Sequence, residues 1–396
     1  MRGGHRPELA DVFRQHARAY EQAHGQATSA EQHRALRDIV RCRTRELGGH
    51  KRRCDHCGHE AIVYNSCRNR HCPKCQATAR AAWLDARRRD LLDVAYFHVV
   101  LTLPAELGPL ALCNPRVVYG LLFRAGAEAL LEAARDPRLL GAEIGILAVL
   151  HTWGQTLHHH PHLHCLIPAG GLAADGRHWV AGSRTFFLPV RVLSRLLRGK
   201  FLADLEALLE RGKLRLPGPL QELATPKARR RWFDRLHRRE WVVYAKPPFG
   251  GPDTVLKYLA RYIHRVALSN ERLLALDDAR VSFRWKDYAH GGRRRTMRLA
   301  AVEFIRRFLL HVLPQGFVRI RYFGFLAHRH RQRKLALARK LLQQDPPAEA
   351  PSGPTSSGQD DPSERCPSCR LGRLVTVEIL MPLHAASRSP SIVDTS

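Results

Sequence analysis

The sequence predicts an α+β protein: an antiparallel sheet with flanking helices, preceded by a small module that a metal ion holds together. Three observations predict this. Strand-like runs of branched and aromatic residues interleave with helical stretches, and hairpin turns join some of the runs. Five of the ten cysteines crowd into residues 54–75. The chain of 396 residues carries 65 Lys and Arg against 36 Asp and Glu, a formal net charge of +29. Such an imbalance is costly through self-repulsion unless a polyanion neutralises it, so nucleic acid is the expected partner. Most of the excess is arginine, whose planar fork suits phosphate. A hydrophobic fraction of 44% fits a folded body.

Taken in order, residues 1–50 read as a charged helical region with Leu9, Val12 and Phe13 at helical spacing. Residues 51–80 form the cysteine module, followed by a basic helix over 78–92. The run 96–103 (YFHVVLTL) reads as a strand that Pro104 ends. A helix over 115–134 leads to a strand over 143–151, a turn, and a second strand over 161–167. A helical region fills 189–240, broken at Pro217-Gly218-Pro219, and a short strand follows over 241–245. Helix 253–268 carries two tyrosines. The alternating run 280–286 turns at Gly291-Gly292 into 293–299, a hairpin. Helices over 301–313 and 327–342 close a body spanning 81–343. From 344 to 396 the composition predicts a flexible tail carrying one Cys-x-x-Cys. No apolar run reaches the ~18–20 residues of a membrane span, and residues 1–10 lack the apolar core of a signal peptide. A cytoplasmic chain is expected, and there clustered cysteines mean metal rather than disulfides.

Cys54-x-x-Cys57 and Cys72-x-x-Cys75, fourteen residues apart, have zinc-ribbon spacing. Each turn aims two thiolates at one ion, and two turns complete a tetrahedron. Cys67, His56, His59 and His71 are alternative ligands. Four protein ligands leave no open position, so this zinc is expected to be structural. Beyond the linker, Cys366 and Cys369 make half a knuckle with no matching pair downstream; His384 is the nearest addition.

Residues 158–165 read HHHPHLHC. Side chains alternate along a strand, so His162 and His164 share a face with Leu163 buried behind them. Two imidazoles on one rigid face are half of a divalent metal site. His160 has the same parity, and His151 ends the preceding strand; His151 is the better third ligand, since a neighbouring strand closes the site from the side. On helix 253–268, Tyr258 and Tyr262 lie four apart on one face, with Lys257, Arg261 and Arg265 as an adjacent basic stripe. A phenol beside a metal that polarises phosphate can attack phosphorus. Taken alone, the pair also fits two core tyrosines.

The ordered occurrence of YNSCRNRHCPKCQ (64–76), HPHLHCL (160–166) and the tyrosine segment 258–265 resembles the two-tyrosine rolling-circle transposases. These are the insertion-sequence 91 (IS91) family within the HUH endonucleases. HTWGQ (151–155), FRWKD (283–287), EFIRRFLLHVLP (303–314) and RIRYFGFLA (319–327) extend the resemblance over roughly 30–340. It implies an N-terminal zinc-binding domain and an RRM-like catalytic domain whose antiparallel sheet carries the histidine strand. His162 and His164 are then ligands of catalytic magnesium or manganese, and Tyr258 and Tyr262 are nucleophiles that cut single-stranded or hairpin transposon ends. No nucleotide cofactor is expected, because a phosphotyrosine conserves the energy of the phosphodiester. A rolling-circle replication initiator or relaxase would share this chemistry. A non-catalytic zinc-ribbon DNA-binding protein is the alternative of another class.

Overall fold

The structure, a computed structural model, describes residues 6–76, 90–183, 187–249, 254–255, 266–343 and 365–383. Two helices begin the chain, α1 (Leu9–His24) and α2 (Ala30–Arg41). Ser29 caps α2 in a reciprocal box with Gln32, which satisfies two otherwise orphaned amides. Leu9, Val12 and Phe13 of α1 are buried against the helix Ala301–Leu309, where the Phe13 and Phe308 rings meet edge to face at 5.5 Å.

The strands, in chain order, are β1 (Gly49–Cys54), β2 (Glu60–Tyr64), β3 (Tyr96–Thr102), β4 (Gly145–Trp153), β5 (His159–Pro168), β6 (Gly170–Leu172) and β7 (Trp179–Ala181). There follow β8 (Val243–Phe249), β9 (Leu273–Asp277), β10 (Arg280–Asp287), β11 (Arg293–Ala300), β12 (Ile320–Gly324) and β13 (Leu374–Leu380). The pairings between them are antiparallel, so the protein is a mixed α and β structure with antiparallel sheets. The largest sheet runs β12-β4-β5-β3-β8.

One face of that sheet is the main core. Val99 and Leu101 of β3, Ile146, Ala148 and Leu150 of β4, and Leu163, Cys165 and Ile167 of β5 point to it. They pack on the helix Pro115–Arg135, with the helix Val190–Glu210 alongside. The approach is close: a Cβ at Gly126 would lie 2.8 Å from Leu101 Cδ1 and 3.3 Å from Leu163 Cδ1. Each such aliphatic side chain contributes about 1.5–3 kcal/mol by leaving water, and that term fixes which face β5 turns inward. A second core joins α1 and α2 to the β9–β10–β11 sheet and the helix Ala301–Leu309.

Several sequence expectations need correction. The expected tail from 344 includes β13, which pairs with β1, so β13-β1-β2 is one small sheet built from both ends of the described chain. The boundary at residue 50 does not isolate the cysteine module, because Cys42, capping α2, belongs to one of its clusters. The sequence pattern foretells none of β1, β2, β6, β7, β9, β12 and β13 as a strand. Helix 301–313 stops at Leu309, and the C-terminal helix runs Arg331–Leu341. The basic helix expected at 78–92 and the tyrosine helix expected at 253–268 fall mostly outside the described residues. Among the described residues no helix is long and apolar enough to cross a membrane.

Candidate metal centres and active site

The ladder that seats Leu163 in the core turns its neighbours the other way. His151 of β4 stands directly opposite His162 of β5, and Val149 opposite His164. The ligand nitrogens of His151, His162 and His164 all lie within 4.8 Å of one another. His162 Nε2 and His164 Nε2 are 3.2 Å apart. Two metal–nitrogen bonds of about 2.1 Å at right angles span about 3.0 Å, so the pair is spaced to share an ion.

The outer nitrogens set the tautomers. His162 Nδ1–H donates to the His160 carbonyl at 2.7 Å, which makes Nε2, facing His164 Nε2, the unprotonated nitrogen. His164 Nδ1 lies 2.8 Å from His98 Nε2, on β3. Burial, aided by the cation of Lys246, pushes His98 down to about 3, so that ring is neutral and can accept the His164 Nδ1 proton. Trp153 stacks on His151 at 4.5 Å between ring centres and steadies the third ring. The structure thus brings His151, His162 and His164 together. His160 stays exposed and contributes its carbonyl rather than its ring. Sequence reasoning missed His98, one imidazole in an apolar strand, whose register against β5 alone reveals its role.

The cysteines do not assemble as expected. Cys54, Cys57, Cys72 and Cys75 fall into two separate groups: Cys42, Cys67, Cys72 and Cys75, and Cys54, Cys57, Cys366 and Cys369. The four-residue set expected from spacing is therefore wrong as a unit. Cys-x-x-Cys spacing fixes which two thiols share a turn; the meeting of two turns depends on tertiary structure. In the first group Cys42 and Cys75 sulfurs are 3.6 Å apart, Cys67 and Cys75 3.5 Å, and Cys42 and Cys72 3.6 Å. A tetrahedron with 2.3 Å zinc–sulfur bonds has edges of about 3.8 Å, whereas a disulfide needs about 2.05 Å. Such crowding splits the acidities: hydrogen bonds from Cys67 and Cys72 pull Cys42 down to about 2, while Cys72 is pushed up to about 12. Four thiolates can coexist here only around a cation. His71 is half-buried, desolvation pushes it down to about 3, and it lies outside both groups.

Near the turn between β4 and β5 lies a basic surface. Arg280, Arg284 and Lys286 of β10 alternate outward, and Arg294 and Arg298 of β11 face Lys286 and Ser282 across the strands. The Lys286 amide donates to Gln155 Oε1 at 3.4 Å, tying this hairpin to the β4–β5 turn. Like charges opposite one another destabilise a hairpin, so Lys286 across from Arg294 marks a surface shaped by something other than stability.

Tyr258, Tyr262, Lys257, Arg261 and Arg265 lie outside the described residues. Described residues lie on either side of that stretch. Val255 is fully buried with Tyr96, Leu147, Val149 and Leu166, on the same sheet face as the histidines. Ala267 and Leu268 are buried in the second core.

Thiols gathered in two groups of four, and three imidazoles gathered on one sheet face, are the donor arrangements of a metal-binding protein. Sequence relatives narrow this further. Residues 12–103 match the family described as "Transposase zinc-binding domain", of IS91 type, and residues 145–334 match that described as "Putative transposase". The chain is 53% identical over 397 residues to "Putative transposase y4qJ" of Sinorhizobium fredii, covering 98% of this chain and 99% of the relative. It is 31% identical over 301 residues to the "Transposase for insertion sequence element IS801" of Pseudomonas savastanoi pv. phaseolicola, covering 74% and 69%. No solved structure matches the chain. The chain belongs to the IS91 family of transposases and carries that family's N-terminal zinc-binding domain.

Proposed function

We propose that the protein nicks and rejoins single-stranded or hairpin DNA at transposon ends through a 5′-phosphotyrosine, in the manner of an HUH endonuclease. The observation that carries this is one sheet face shared by His151, His162, His164 and the buried Val255. Tyr258 follows Val255 by three residues, and three residues span at most ~11 Å of chain.

His151, His162 and His164 would hold a divalent ion, and their all-nitrogen donor set suits manganese better than magnesium. When bound, the ion supplies Lewis acidity toward the scissile phosphate. Around it the chain's own residues act. His98 and the His160 carbonyl keep the ligand lone pairs aimed outward. Tyr258 or Tyr262 attacks phosphorus, and the 3′-hydroxyl leaves. Lys257, Arg261 and Arg265, with the β10–β11 basic face, hold the DNA backbone. The energy of the broken linkage stays in the phosphotyrosine, ready for a second 3′-hydroxyl. Cys42, Cys67, Cys72 and Cys75 hold a structural zinc that fastens α2 to the cysteine module.

The test is cleavage of an end-labelled single-stranded oligonucleotide carrying the transposon end, in manganese, with the covalent adduct mapped by mass spectrometry. An adduct on Tyr258 or Tyr262 is expected. Tyr258→Phe and Tyr262→Phe should each retain some cleavage but fail in complete transposition, and the double variant should be inert in both. Full cleavage by the double variant would overturn the reading.

A further inference from the structure

We infer that the chain holds a second, separate zinc ion through Cys54, Cys57, Cys366 and Cys369, and that this ion clamps β13 onto the N-terminal module. The matched zinc-binding domain ends at residue 103, so half of this ligand set lies far outside it. The geometry is that of two facing knuckles. Cys54 and Cys369 sulfurs are 3.7 Å apart, and so are those of Cys57 and Cys366. Both distances match the ~3.8 Å edge of a zinc–sulfur tetrahedron.

Each turn aims amides at its sulfur. The amides of His56 and Cys57 donate to Cys54 Sγ at 3.4 and 3.5 Å, and the Gly372 amide donates to Cys369 Sγ at 3.4 Å. Such donors favour thiolate over thiol. The two turns are also stitched together: the Asp55 amide donates to the Arg373 carbonyl at 3.0 Å, and the Arg373 amide to Asp55 Oδ1 at 2.7 Å. Gly372 lets them close, for a Cβ there would sit 2.5 Å from both Cys54 Sγ and Asp55 Oδ1.

The small sheet needs the ion. Its buried apolar cluster is Cys54, Cys366 and Leu374, joined by partly buried Ala61 and Cys369. Val375, Val377 and Ile379 of β13 and Ile62 and Val63 of β2 stay exposed. So little buried apolar surface cannot offset the ordering of three strands, which is the condition under which metal binding supplies the folding energy.

Elemental analysis of the full-length protein, purified without chelator, should find two zinc ions per chain. Cys366→Ser with Cys369→Ser should bind one, since the Cys42 cluster is untouched. One zinc in the wild type, or two in the double variant, would overturn the proposal. Should the double variant not fold, Cys57→Ser and Cys369→Ser, loaded with cobalt, should each lose about half of the thiolate charge-transfer absorption; unchanged absorption would count against it. After protease cleavage within 344–364, the C-terminal fragment should stay with the zinc-loaded body and leave on chelation. Its departure from the zinc-loaded wild type would remove the clamp.

Discussion

The thiol cluster of Cys42, Cys67, Cys72 and Cys75 and the imidazole set of His151, His162 and His164 differ in what surrounds them. The thiols are closed in: Cys42, Cys72 and Cys75 are buried in the second core, and four sulfurs fill a tetrahedron. The imidazoles are also covered, His151 and His162 buried and His164 half-buried on the back of a sheet whose front is the main core, but they are three donors rather than four, so an ion held there would keep an open position. A closed site can contribute only folding energy, whereas an open one can also act on a substrate. Their supports differ in the same sense. The thiols are held by turns and a helix end, which the metal must help to order; the imidazoles ride on a ladder that the hydrophobic core has already fixed.

If that contrast is right, the largest effect should come from the closed site. Cys42→Ser removes a ligand from a cluster that joins α2 to the cysteine module, and structural zinc sites are worth about 10–16 kcal/mol in binding. The variant should lose one zinc, and its N-terminal region should be digested by protease under conditions where the wild type survives. A stable, zinc-replete Cys42→Ser protein would show that the closed site does not hold the fold.

The open site should behave in the opposite way. His162→Ala should keep the melting temperature and DNA affinity nearly unchanged while reducing cleavage by about 10²–10³-fold or more, as loss of several kcal/mol of Lewis-acid stabilisation implies. Near-wild-type nicking would dissolve the contrast. His98→Ala probes the support rather than the site. Loss of a partner behind a metal-bound histidine costs about 10–100-fold in metal affinity, so manganese dependence should shift by that factor with kcat largely restored at saturating metal. A variant with unaltered manganese dependence would leave His98 as packing only.

The same contrast explains what could be read from the sequence. That His162 and His164 share a face is legible because strand alternation is a local rule, and Leu163 tells which face is inside. His151 was reachable because a hairpin sets its own register. His98 was hidden, because nothing local distinguishes it from its apolar neighbours in β3. The thiols failed for a related reason: Cys54–Cys57 and Cys72–Cys75 were each found as turns, yet which turns meet is decided by α2 and β13, far away in sequence. β12 gave no period to read, since all five of its residues are half-buried. The hairpin β10–β11 was found in place because the Gly291-Gly292 turn and the alternation agree; at Gly291 the backbone is left-handed (φ +69).

The smallest effect concerns a histidine outside the set of His151, His162 and His164. His311 is buried beside the imidazole site; its Nε2–H donates to the Leu157 carbonyl at 3.1 Å, and its Nδ1 accepts from Thr152 Oγ1 at 3.3 Å. Those bonds pin the turn between His151 and His162, where Leu157 holds a left-handed backbone (φ +63). Desolvation, with the neighbouring imidazole of His159, pushes His311 down to about 3. In the unfolded chain it titrates near ~6.5. Between those values the unfolded state takes up a proton that the native state refuses, so stability is complete above about 6.5 and falls as pH drops toward 3. The slope is at most about 1.4 kcal/mol per pH unit from this one group. Urea midpoints measured from pH 7 to pH 5 should therefore decline, and His311→Gln, which keeps a donor and an acceptor but does not titrate, should flatten the decline by that amount. An unchanged slope in His311→Gln would mean that the acid sensitivity lies elsewhere, and that the turn beside the imidazoles is not held by a neutral ring.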